Sequence, residues 1–213
     1  MIRVQKQPQP RLFSRLVRNP GLKFLSRLPS WTKINWNGRD YWRHVAADLY
    51  KSYNGICAYL CCPLSPASFE VEHYKPKSKF PRCAYCWSNY RLASSGINKR
   101  KGVRRVLDPF KVKADSFRIN LLNGSIHVSG KHPAAYTKLC QDTIDALRLD
   151  GELERGSRTK PIDEYLHFDM SLSLMQKQYP FVYSELVRRG IANRRTLNRQ
   201  LRLDATALLR QVI

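Results

Sequence analysis

The sequence contains no apolar run approaching the roughly 20 residues that a helix needs to span a bilayer, which excludes a conventional membrane-spanning helix. No apolar segment follows the basic start, so no secretory leader is legible and the expected location is the cytoplasm. No internal repeat is apparent. Acidic residues are scarce: 16 Asp+Glu stand against 38 Lys+Arg, a formal net charge of +22. Hydrophobic residues make up 43% of the chain and aromatics 11%, which is enough to build a core, so the charge excess does not signal disorder.

Most of the excess lies in residues 1–110. Such a surface repels itself and attracts polyanions, and nucleic acid is the usual one because each neutralised phosphate releases a counterion. A ribosomal or chromatin-type binder carries the same charge, so charge alone does not choose between binder and enzyme.

Residues 1–35 hold four prolines and many cations with little sustained periodicity, and read as an extended arm with a short helical turn that lies on the domain or on a phosphate backbone. From Tyr41 to Tyr53, Trp42, Val45, Leu49 and Tyr53 recur at helical spacing, and Asn54-Gly55 is a stop signal. Residues 56–110 read as strand, loop, strand and helix. In FRINLLNGSIHVSG, Asn123-Gly124 between two alternating runs predicts a tight hairpin. Residues 133–213 are helical in pattern, with DGELERGSRTK separating a first helix from a second. The expected organisation is an arm and amphipathic helix over 1–54, a core over 55–110, and a hairpin with helices over 111–213, an α+β fold.

The chemistry concentrates in FEVEHYKPKS (69–78), where Glu72 and His73 end a strand-like run and cations follow. Hydrolysis of a phosphodiester needs a base for the attacking water and a cation to offset charge on the phosphate and leaving oxygen. Adjacent strand residues point to opposite sides unless the strand ends between them, so a strand end at this pair can aim histidine and carboxylate at different parts of one site. An unperturbed histidine pKa near ~6.5 suits a base.

VEHYKPKS followed by WSNYRLASSGINKRKG resembles the HNH endonuclease motif, in which a [DE]H pair ends one strand, Asn starts the second, and N-L-x-x-x-C-x-x-C-[NH]-x-x-K-G enters a helix. Asn89, Asn98, Lys101 and Gly102 match; Tyr90 takes the Leu position, and Ser94 and Ile97 replace the two cysteines. The resemblance implies a ββα-metal (HNH, His-Me finger) core and metal-dependent endonuclease activity on DNA, RNA being a further possible substrate, with 5′-phosphate and 3′-hydroxyl products. It implies His73 as general base, Asn89 as brace of the loop that carries it, Glu72 and Asn98 as ligands of one Mg²⁺ or Mn²⁺, and Lys101 as a phosphate contact. Lys75, Lys77, Lys99 and Arg100 are expected to meet the nucleic-acid backbone. YNGICAYL, VLDPF and the helical C-terminal half are similar to bacterial HNH proteins of phage-defence systems such as the Septu and retron-associated types, which implies an antiviral role and a restraining partner such as an ATPase. The rival expectation is a non-catalytic nucleic-acid-binding or docking subunit with a degenerate HNH fold, since Glu72 stands where Asp is commoner and two cysteines are lost.

Two readings of the cysteines stay open. Cys57, Cys61, Cys83 and Cys86 have the spacing of a four-thiolate zinc site; the commoner reading is reduced thiols packed as small hydrophobes. Trp31, Trp36, Trp42 and Trp87 are core or arm anchors, or platforms for an unpaired base. Asp108 fits a turn.

Overall fold

The basic arm folds back as a helix. In the computed structural model, which describes residues 1–212, Ser14–Arg18 form a π-turn that runs directly into α1 (Asn19–Ser26). Pro20 has no amide hydrogen for the bond four residues back, and the turn before it widens accordingly. Phe13, Val17 and Leu25 share one stripe and are buried in a cluster with Trp42, Val45, Leu49, Tyr85, Trp87 and Tyr90. Gly21 lies in the same stripe, and a methyl group there would meet the Tyr85 ring at 2.2 Å. The residues before the helix are also tied down: Val4 N–H donates to the Pro109 carbonyl (3.0 Å), and the Trp87 indole N–H donates to the Gln7 carbonyl (2.9 Å). The arm therefore lies on the domain, one of its two expected placements, and the short helical turn expected within it is a longer helical segment, Ser14–Arg18 followed by Asn19–Ser26. Its apolar stripe decides this, although prolines and cations obscure it in the sequence.

Residues 4–59 and 64–111 form one unit, and residues 1–3, 60–63 and those from Val112 on form another. In the first unit a 3₁₀ turn (Tyr41–Val45) leads into α2 (Ala46–Ser52), and Asn54 and Gly55, both at positive φ, end it. β1 (Phe69–His73) pairs antiparallel with β2 (Tyr90–Ser94), Glu72 opposite Arg91 and His73 opposite Tyr90. α3 (Ser95–Lys101) follows at once. The Ser94 hydroxyl accepts the Ile97 N–H (3.3 Å), and Gly102 at φ 46° ends the helix. The strand, loop, strand and helix order read from residues 56–110 is the order observed.

Buried Arg91 anchors the far end of this unit. Its Nε and Nη2 donate to Asp108 Oδ1 at 3.0 and 2.7 Å, and its guanidinium lies 3.5 Å from the centre of the Phe110 ring. Asp108 also accepts the Phe110 N–H (3.0 Å), so its role is to hold the turn and pair with the buried cation.

In the second unit β3 (Phe117–Ile119) pairs with β4 (Ile126–Val128), followed by α4 (Ala134–Leu147), α5 (Glu152–Leu166), α6 (Leu172–Gln178), α7 (Pro180–Arg188) and α8 (Arg194–Val212). Two expectations change. The hairpin connection spans residues 120–125 rather than a two-residue turn, because Gly124 is held against α5: its carbonyl accepts from buried Arg158, and a Cβ there would strike the Arg155 carbonyl oxygen at 2.4 Å. The DGELERGSRTK stretch belongs to α5 from Glu152 on, and the connection from α4 is confined to residues 148–151. Glu152 and Glu154 favour a helix N-terminus, and Arg158 and Pro161 are buried along its packed face. No described helix is long and apolar enough to cross a membrane.

Candidate active site around His73

His73 is the last residue of β1, opposite the first residue of β2. The sixteen residues between them (74–89) fold into short 3₁₀ turns at Pro81–Tyr85 and Trp87–Asn89, which return a backbone carbonyl to the imidazole. His73 Nε2 lies 3.0 Å from the Ala84 carbonyl oxygen. A carbonyl only accepts, so Nε2 carries the proton and Nδ1 the lone pair. The ring is packed edge-on against Trp42 (4.7 Å between centres, 85°) and Tyr90 (5.2 Å, 81°). Burial lowers its pKa from 6.5 to about 4; the Ala84 bond opposes this, and the charges of Lys77 and Lys101 reinforce it. The site therefore holds a neutral imidazole of one tautomer at neutral pH.

Asn89 holds the loop in place. Its Oδ1 accepts the Lys75 N–H (2.7 Å), and its Nδ2 donates to the carbonyls of Lys75 (3.0 Å) and Cys83 (2.9 Å). One side chain thus ties the segment leaving His73 to the turn that supplies Ala84. The Tyr90 hydroxyl donates to the same Ala84 carbonyl at 2.8 Å, which fixes the acceptor further.

The two carboxylates of β1 share a strand face but have different surroundings. Glu72 is 1% exposed. Its Oε1 is paired with Lys101 Nζ (2.6 Å), and its Oε2 accepts the Tyr59 hydroxyl (2.7 Å). Burial pushes its pKa up, while Lys101, Tyr59 and Arg91 pull it back. Lys101, also 1% exposed, donates to the His73 carbonyl as well (2.9 Å). The expected phosphate contact at Lys101 is therefore corrected: its ammonium is enclosed and joins α3 to the end of β1. Glu70 is exposed, and its Oε2 accepts from Asn98 Nδ2 on α3.

A cleft of about 680 Å³ brings His73, Glu70, Glu72 and Asn98 together with Trp36, Trp42 and Lys77. Lys77 Nζ sits 4.5 Å from the Trp42 ring centre and 5.7 Å from that of Trp36, and burial lowers its pKa. Lys75 and Lys99 are exposed, and Arg100 is half-buried. Of the expected site residues, the cleft gathers His73, Glu72, Asn98 and Lys77, and Asn89 acts behind it through the loop. Sequence reasoning missed Glu70, Tyr59 and the Trp42 wall. Glu70 was legible only as the residue two before Glu72, a spacing that any exposed strand carboxylate shares.

The cysteines are thiols. Cys57 is buried in the first unit and Cys61 belongs to the second, while Cys83 and Cys86 are half-buried in the loop that carries Ala84. Among the described residues no group of three or more His, Cys, Asp or Glu side chains is placed to hold a metal ion. At the cleft the available donors are carboxylate and amide oxygens, a set that suits a hard cation which keeps several waters. No family model matches this chain, and no curated protein matches it.

Proposed function

We propose that the protein is a metal-dependent endonuclease of the HNH type that hydrolyses DNA phosphodiester bonds at the His73 cleft. The observation that carries this reading is the His73 imidazole: neutral, fixed as the Nε2–H tautomer by the Ala84 carbonyl, and set in a cleft that also holds the Lys77 ammonium.

In this reading Nδ1 of His73 takes a proton from the attacking water, and the Ala84 carbonyl stabilises the imidazolium that forms. Asn89 and Tyr90 keep that carbonyl in place and so limit the reorganisation needed during proton transfer. Lys77 meets a phosphate oxygen, and exposed Lys75 and Lys99 bind the flanking backbone without reading bases. Asn98 and a carboxylate of β1 hold one Mg²⁺ or Mn²⁺, which supplies charge stabilisation for the departing 3′-oxygen.

Cleavage of supercoiled plasmid by the wild type and by His73→Ala, with Mg²⁺, Mn²⁺ or EDTA, tests the proposal. Metal-dependent nicking or linearisation, absent in the variant while DNA binding persists, is the expected result. The rival reading, a nucleic-acid-binding subunit that does not cut, draws on the full engagement of Glu72 by Lys101 and Tyr59. It predicts binding without cleavage for both proteins in every condition.

A further inference from the structure

The resemblance places the metal on Glu72, the residue beside the histidine, whereas the surroundings of the two β1 carboxylates favour the other one. We infer that Glu70, together with Asn98, is the protein's cation-binding pair, and that Glu72 is a positioning residue locked to Lys101. This deepens the nuclease reading and rests on it for the identity of the cation.

The argument is one of competing partners. Each Glu72 oxygen already accepts a short bond from a buried donor, one of them a full positive charge 2.6 Å away. Turning Glu72 to a metal would leave the Lys101 ammonium, 1% exposed, with the His73 carbonyl as its remaining hydrogen-bond acceptor. An uncompensated buried charge is among the most destabilising changes a fold can undergo. The same movement would loosen the Lys101 bond to the His73 backbone and so shift the base it is meant to serve.

Glu70 has no such commitment. It is exposed, lines the same cleft, and among the described residues accepts from the Asn98 side-chain amide on α3. Because Asn98 Nδ2 faces Glu70, its Oδ1 remains an acceptor, and a cation arriving between the two side chains exchanges one amide hydrogen bond for two oxygen ligands. One carboxylate, one amide oxygen and retained waters form the kind of sparse shell in which Mg²⁺ and Mn²⁺ are held. The strand register supports the division of labour. Glu70 and Glu72 project from one face, and α3 crosses it so that Asn98 meets the first and Lys101, three residues later, meets the second.

Titration of the full-length protein with Mn²⁺, followed by the loss of the free-ion electron paramagnetic resonance signal, reads the site without reference to catalysis. Glu70→Gln, an exposed isosteric change, is expected to weaken Mn²⁺ binding by at least about tenfold, an effect that even loss of an outer-shell partner can produce. Asn98→Ala is expected to weaken it as well. The paired variant Glu72→Gln/Lys101→Met, which removes both buried charges together, is expected to bind Mn²⁺ like the wild type. Wild-type affinity in Glu70→Gln, or binding abolished in the folded paired variant, overturns the assignment, as does a wild type that binds no Mn²⁺. Plasmid cleavage separates this from the reading beneath it. A wild type that cuts while Glu70→Gln binds Mn²⁺ normally leaves the nuclease standing and removes this inference. A Glu70-dependent Mn²⁺ site in a protein that never cuts does the reverse.

Discussion

Acidification should destabilise the protein through His73 in a defined window. The imidazole has a pKa of about 4 in the folded chain against an ordinary 6.5, chiefly because burial disfavours the cation. Between those values the unfolded chain takes up a proton that the folded chain refuses, so stability falls as the pH drops. Above 6.5 neither state carries the proton and His73 contributes no slope. Below about 4 the full difference has accumulated, about 3 kcal/mol from the displacement of the pKa. Urea denaturation in EDTA at a series of pH values between 7.5 and 4, for the wild type and His73→Gln, isolates the effect. Glutamine keeps a side-chain N–H to offer the Ala84 carbonyl but does not titrate. The wild type should lose about 3 kcal/mol more than the variant across the window, with curves that are parallel above pH 6.5. Curves that stay parallel to pH 4, or a His73 resonance titrating near 6.5 in the folded protein, would refute the half-buried neutral imidazole and the base it is argued to provide.

Lys101→Met should cost about 3–5 kcal/mol in the same denaturation assay, because it strands the Glu72 carboxylate in the interior; adding Glu72→Gln should recover part of the loss, since the amide oxygen still accepts from Tyr59. Gly21→Ala drives a methyl into the Tyr85 ring and should destabilise by about 1–3 kcal/mol. Gly130→Ala, where a Cβ meets nothing within 4 Å, should change stability by less than about 0.5 kcal/mol. Lys77→Ala should weaken DNA binding in fluorescence anisotropy and reduce the slope of log affinity against log salt by about 1, and should cost about 0.5–1 kcal/mol of stability through the lost contact with Trp42.

Short-range patterns were legible where short-range physics decides. Alternation in FEVEH, the Ser94 cap and Gly102 define the strand, loop, strand and helix order of residues 56–110, because each acts within a few residues of itself. The length of the arm's helix was underestimated for the complementary reason. Phe13, Val17, Gly21 and Leu25 form a four-residue repeat, but its glycine member reads as a breaker until Tyr85, distant in sequence, is seen to need the space. Asn123-Gly124 carries a two-residue turn signal, yet Arg155 and Arg158 of α5 hold that glycine in a wider loop.

The sequence by itself determined the large excess of basic over acidic residues, the absence of a long apolar run, and the strand, loop, strand and helix order that carries His73, Asn89 and Asn98. Tertiary structure alone decided which atoms are free to act. Glu70 and Glu72 are equivalent in alternation and chemistry; Tyr59 and Lys101 enclose one, and Asn98 meets the other. The histidine likewise has no intrinsic tautomer or pKa displacement. The tautomer comes from a carbonyl eleven residues away and the displacement from burial among groups that include the rings of Trp42 and Tyr90, because desolvation and hydrogen-bond direction are properties of surroundings and not of residue type.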